Sequence, residues 1–192
     1  MEPSTLTSTS PTSAPAPVTP VTPVTSSLRP SPADPTIGPA VARVVRRHHF
    51  AVLATASATG RPHAAGVMYQ VAGGQAWVST LRSSRKARNA AARGQVALTL
   101  AVRRIPMFPP ATVQLRGRAT VVDLDDPELR RLAEAGSLPA VTGRGELELP
   151  DGCFLRIDLA ERVPVYALGM SCWQLLRHPL DAARVALVDW EA

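Results

Sequence analysis

A mostly antiparallel β-barrel with peripheral helices is the architecture this chain predicts, and three observations carry the prediction. Apolar runs of strand length or alternating pattern outnumber segments of helical periodicity. Glycine turns, at Gly60 and at Gly73-Gly74, join the first three of those runs as hairpins. Strands and helices do not alternate regularly, so a parallel α/β sheet is set aside.

The elements follow in order. Ile37 to His49 places Ile37, Val41, Val44 and Val45 among Arg43, Arg46 and Arg47, an amphipathic helix with Pro39 in its first turn. Phe50 to Ala56 is an apolar strand, and Pro62 to Val71 is its hairpin partner. Gln75 to Thr80 is a third strand, paired most simply with the second. A helix that starts at Ser83 or Ser84 ends at Gly94, and Gln95 to Val102 then alternates, with Val96, Leu98, Leu100 and Val102 on one face.

The prolines of Ile105-Pro-Met-Phe-Pro-Pro110 remove ladder donors, so this segment is a loop able to lie over a site. Thr112 to Asp123 is the longest strand, and Gly117 marks a bulge or bend in it. Asp126 caps a helix that begins at Pro127 and stops at Gly136. After a loop over 143–152, Cys153 to Leu159 and Val163 to Leu168 are strands, Ser171 to His178 is a helical turn, and Leu180 to Val188 is a short apolar segment.

The chain of 192 residues divides at about residue 39. Residues 1–39 form a Pro/Thr/Ser-rich tail, with too few branched apolar and aromatic side chains to offset the entropy of ordering, and are expected to be disordered. Residues 40–192 are expected to make one barrel domain with a C-terminal extension. The tail lacks the basic start and apolar core of a secretory signal, and no run reaches membrane-spanning length. Cys153 and Cys172 are too few for a disulfide scaffold and show no metal-ligand spacing, which fits a reducing cytoplasm.

A formal net charge of +6 favours anionic ligands, although an arginine-rich genome would give the same balance. The local cluster is more informative. From Val78 to Gly94 a strand runs straight into a basic helix, where free first-turn amides, the positive end of the helix dipole, Arg85 and Lys86 converge. By spacing, Arg82, Arg85, Lys86, Asn89 and Arg93 share one stripe, while Ala87, Ala90 and Ala91 make the opposite, packing side. The competing reading is a solvated helix face.

Arg61 and His63 point alike after the first hairpin turn, toward a phosphate or substrate or simply along an exposed edge. Adjacent His48 and His49 have poor geometry for one metal ion. Trp77 reads as core. Tyr69 and Tyr166 offer hydroxyls or act as packing anchors, and Trp173 and Trp190 line either a ligand or a subunit face or the core. No dinucleotide glycine fingerprint, Walker loop, zincin helix or nucleophile elbow is present, so nucleotide hydrolysis and serine-type acyl transfer lose support.

The order of Leu53-Ala-Thr55, Gly60-Arg-Pro-His63, Trp77-Val-Ser-Thr80, Ser84-Arg-Lys-Ala-Arg-Asn89, Val96-Ala-Leu-Thr-Leu100 and Leu115-Arg-Gly-Arg-Ala-Thr120 resembles the pyridoxamine 5'-phosphate oxidase-like family. That resemblance spans about residues 44–125 and implies an antiparallel, FMN-binding split β-barrel and a homodimer. It also implies a flavin mononucleotide (FMN), or the deazaflavin coenzyme F420, between the subunits. The phosphate would meet Ser84, Arg85, Lys86 and Asn89, with Arg61 as a further contact, and the ring would lie along Val67, Met68, Tyr69, Ser79 and Thr80. Lys86-Ala-Arg-Asn89 looks closer to the deazaflavin-using branch.

The expected function is hydride transfer to or from a small organic substrate, with the protein orienting the cofactor and excluding water. A non-catalytic cofactor- or haem-binding barrel is the alternative. Nucleic-acid binding through the arginine-rich helix stands third.

Overall fold

In a computed structural model of the chain, residues 33–103 and 110–191 are described. Ten strands make one continuous sheet, curled on itself. Strand β1 (Ala33–Asp34) is followed by helix α1 (Gly38–Arg47), β2 (Phe50–Ala56), β3 (Pro62–Met68), β4 (Gln70–Ala72), β5 (Gln75–Leu81) and α2 (Arg85–Arg93). Then come β6 (Gln95–Val102), β7 (Ala111–Val122), α3 (Pro127–Glu134), α4 (Pro139–Thr142), β8 (Gly152–Leu159), β9 (Arg162–Tyr166), α5 (Cys172–Arg177) and β10 (Ala183–Leu187). The mainly antiparallel barrel with peripheral helices is therefore what the chain forms.

Two departures from the local pattern shape the molecule. The expected second strand is two, because the chain turns a corner at Tyr69 and changes partner: β3 pairs with β2, whereas β4 pairs with β5. Tyr69 is fully buried, and its hydroxyl donates to the Val45 carbonyl at 2.8 Å. Strand β5, expected to pair with the second strand, does so only through β4, and runs for its whole length against β8 on its other edge. Local sequence favours the nearest partner, but the alternating Cys153, Leu155 and Ile157 of β8 close the interior that Ala76, Val78 and Thr80 begin.

Strand β7 is the hub, pairing with β6 along its first part, with β8 along its last, and with β9 at Thr112 and Val113. The barrel interior holds Leu53, Leu98, Leu100, Leu115 and Leu155. A second, smaller core lies on the outer side, where Trp77 and Phe154 pack under Leu129, Leu132, Leu138 and Val141 of the α3–α4 region.

The tail boundary also moves. Ala33 and Asp34, expected within the disordered segment, pair in parallel with Val185 and Ala186 of β10. That contact joins opposite ends of the sequence, which no local composition reveals. The rest of the expected tail, residues 1–32, and the Ile105–Pro109 part of the proline loop lie outside the described residues.

Candidate functional site

The site is built where β5 gives way to α2. After Leu81 the chain turns on three backbone anchors. The Arg82 amide donates to the Asp151 carbonyl at 2.8 Å, the Ser83 amide to the Asp151 carboxylate at 3.0 Å, and the Ser84 amide to the Leu81 carbonyl at 3.0 Å. Ser84 is the N-cap, in extended conformation, and its Oγ accepts from the Ala87 amide at 3.3 Å. The same Oγ lies 3.1 Å from the Thr80 hydroxyl at the end of β5.

Ala87 is the third residue of α2, so the amides before it, of Arg85 and Lys86, are the two that the cap leaves over. Among the described residues neither has a hydrogen-bond partner, and neither side chain forms an ion pair. No acidic residue sits in the first turn. Two free amides and the positive end of the dipole thus meet in the turn from which the Arg85 and Lys86 side chains leave, a combination that suits a phosphoryl group.

The other cations of the expected stripe are engaged within the chain. Arg82 pairs with Asp123, Arg88 donates to the Ser83 carbonyl at 2.9 Å, and Arg93 donates to the Ala58 carbonyl at 2.7 Å. Asn89 leaves the stripe altogether. It is buried with Ala87 and Ala90, and its Nδ2 donates to the Thr55 hydroxyl of β2 at 3.0 Å, so it pins the helix to the barrel. Ala91, expected on the packing side, is exposed. Gly94 closes the helix in the left-handed conformation at φ 70°, as the sequence predicts.

The expected ring-binding residues divide by strand parity. Val67 and Tyr69 point into the barrel, and only Met68 is exposed. Because the Tyr69 amide donates to the His49 carbonyl, the odd-numbered peptide groups of β3 face β2. Those of Ala64, Gly66 and Met68 therefore face the other edge of β3, which ends the strand order. The outward peptide groups of Ala64 and Gly66 follow from that parity, which depends on the pairing with β2 and not on local sequence. Ser79 and Thr80 likewise take opposite sides of β5: Thr80 is interior and meets Ser84, while Ser79 shares the outer side with Trp77. Arg61 is exposed, and its guanidinium has no partner among the described residues.

Elsewhere, Trp190 is buried and donates to the Ala160 carbonyl at 3.1 Å, a core role, whereas Trp173 is 63% exposed under the Arg177 guanidinium. Four surface cavities, of about 690, 600, 450 and 330 Å³, lie beside the Gly73-Gly74 turn, α1 and α5. None of the four is lined by Ser84, Arg85 or Lys86. In a single chain the cradle opens to solvent, with Ser83 and Arg85 exposed.

The sequence profile of the family described as pyridoxamine 5'-phosphate oxidase matches residues 37–162, most of the barrel and all of the α2 junction. The chain belongs to that family. Among solved structures, the haem storage protein HutZ from Vibrio cholerae is similar at 19% identity and a TM-score of 0.55, over 66% of this chain and 92% of that chain. A haem-binding protein from Mycobacterium smegmatis is similar at 22% identity and a TM-score of 0.56, over 69% of this chain and 54% of that one. A putative pyridoxamine 5'-phosphate oxidase from Listeria innocua is similar at 16% identity and a TM-score of 0.51, over 67% and 97% respectively. At these identities the likeness is one of fold, the split barrel. Among curated proteins there is no match.

Proposed function

We propose that this family member is an oxidoreductase that holds a flavin-type cofactor, FMN or coenzyme F420, in a homodimer and transfers hydride to or from a small organic substrate. One observation carries the reading: the Ser84 cap leaves the Arg85 and Lys86 amides over at the start of α2, and among the described residues neither those amides nor the two side chains have a partner. Such a mouth suits a doubly or singly charged phosphoryl group, with charge-assisted bonds worth about 1.5–3 kcal/mol each. Arg61 is the further phosphate contact in this reading. The free peptide edge at Ala64, Gly66 and Met68 offers donors and acceptors to the polar rim of a flat ring system.

When bound, the cofactor would supply the hydride chemistry itself. The chain's own contribution is to fix the phosphate end, to orient the ring along β3 and to exclude water. A second subunit closes the open side. The outward face of β2 and β3 is suited to that contact, since Phe50, Val52 and Met68 are 61%, 41% and 37% exposed beside Ala54 and Ala64. The free thiols of Cys153 and Cys172 fit a reducing cytoplasm, and no helix among the described residues is long and apolar enough to cross a membrane.

A second reading, a barrel that holds haem or cofactor without turnover, is favoured by the likeness to the two haem proteins. The visible spectrum and mass of the small molecule that co-purifies with the chain separate the two. A flavin or deazaflavin band is expected; a Soret band from haem would overturn the oxidoreductase reading in favour of the second.

A further inference from the structure

A separate feature lies on the opposite flank of the barrel, between α1 and the end of β10. The backbones approach so closely there that a Cβ on Gly38 would stand 2.1 Å from the Leu187 carbonyl oxygen. The groove beside that contact is therefore set by backbone packing. Its volume is about 600 Å³, within the roughly 300–1,000 Å³ range of small-molecule sites.

The floor is apolar, made by Pro35, Pro39, Ala42 and Leu187, and Leu187 is 43% exposed. The rim carries Arg43, Arg46 and Arg47, against one carboxylate, Asp189. Arg46 donates to the Trp190 carbonyl at 3.1 Å. Arg43 and Arg47 are exposed and, among the described residues, have no ion-pair or hydrogen-bond partner. They are four residues apart on a helix that contains no acid, so their charges repel. The helix C-terminus accommodates Arg46 and Arg47 in its last turn, but Arg43 lies a full turn earlier.

We infer that this groove is a binding site for a small amphiphilic carboxylate, whose aliphatic body lies on the Pro35–Pro39–Ala42–Leu187 floor and whose head is gripped by Arg43 and Arg47. Charge complementarity selects the anion, and the apolar floor selects a body that a bare anion lacks. The site is distinct from the Ser84 mouth and does not depend on what that mouth holds.

The test is calorimetric titration of the full chain with dodecanoate below its micellar concentration, beside dodecanol and inorganic phosphate. Saturable one-to-one binding of dodecanoate is expected, at least about tenfold tighter than either control, since it alone satisfies both halves of the groove. R43Q/R47Q, two exposed positions that leave the core untouched, should weaken it by about tenfold or more. Lys86→Ala should leave it unchanged. No saturable binding, equal binding of dodecanol or phosphate, or full affinity in R43Q/R47Q would overturn the inference. So would retention of an acidic peptide by a chain that ignores dodecanoate.

Discussion

Asp151 shapes the turn that presents Ser84, and its ionisation carries a pH signature. Hydrogen bonds from Ser83, side chain first and then amide, hold its carboxyl below the usual carboxylate range, against a small opposing effect of burial and with help from the Arg82 charge. A native value below the unfolded one means that the unfolded chain takes up protons first as the pH falls. The contribution is therefore complete above about pH 5 and is lost as the pH drops from the ordinary aspartate value, about 3.9, through the lowered native one. The amide resonance of Ser83 should move across that acid window in the wild type and stay still in Asp151→Asn. A Ser83 resonance that titrates identically in both would remove Asp151 from this role. Ser84 was legible in the sequence because a cap is a local device, a hydroxyl three residues from an amide. Asn89 was not: its spacing groups it with the cations, and only the distant Thr55 hydroxyl explains why it turns inward.

Strand existence was written in the alternation of side chains, and strand partnership was not. The alternation over Gln95–Val102 gives one buried face as expected, and β2 spans the very residues its apolar run marks. The pairing of β5 with β8 brings together segments separated by α2, β6, β7 and the α3–α4 region, and nothing local encodes it. Gly117 is an intermediate case. The sequence marks it as a bend, and the structure gives the reason: β6 and β8 flank it at Val96 and Leu159, and a Cβ there would meet the Asp158 carbonyl oxygen at 2.2 Å. Backbone, not a flexible side-chain end, is the obstacle. Gly117→Ala should cost about 1–3 kcal/mol of stability, read as a lower urea midpoint, as overpacking does elsewhere. An unchanged midpoint would mean that β7 and β8 are free to part at this crossing.

The proposed dimer would complete what a single barrel leaves open. The Ser84 mouth is open to solvent, the outer edge of β3 has no strand partner among the described residues, and the face of Phe50, Val52 and Met68 is apolar and open. One dimer contact would answer all three, burying the face and closing the mouth over a cofactor. None of this was legible in composition, because the net charge of +6 is equally a property of an arginine-rich chain. What the sequence did reveal was the strand-to-basic-helix junction and its order among the hairpins. The decisive measurement is a set of binding isotherms for FMN and F420, each beside its analogue without the phosphate, on the wild-type chain and on R85A/K86A. The account predicts saturable binding of one phosphorylated cofactor, weakened about 100-fold or more by the double substitution, from the loss of two charge-assisted bonds of about 1.5–3 kcal/mol each, while the phosphate-free analogue binds both proteins alike. Equal affinity of wild type and R85A/K86A for the phosphorylated cofactor would contradict it.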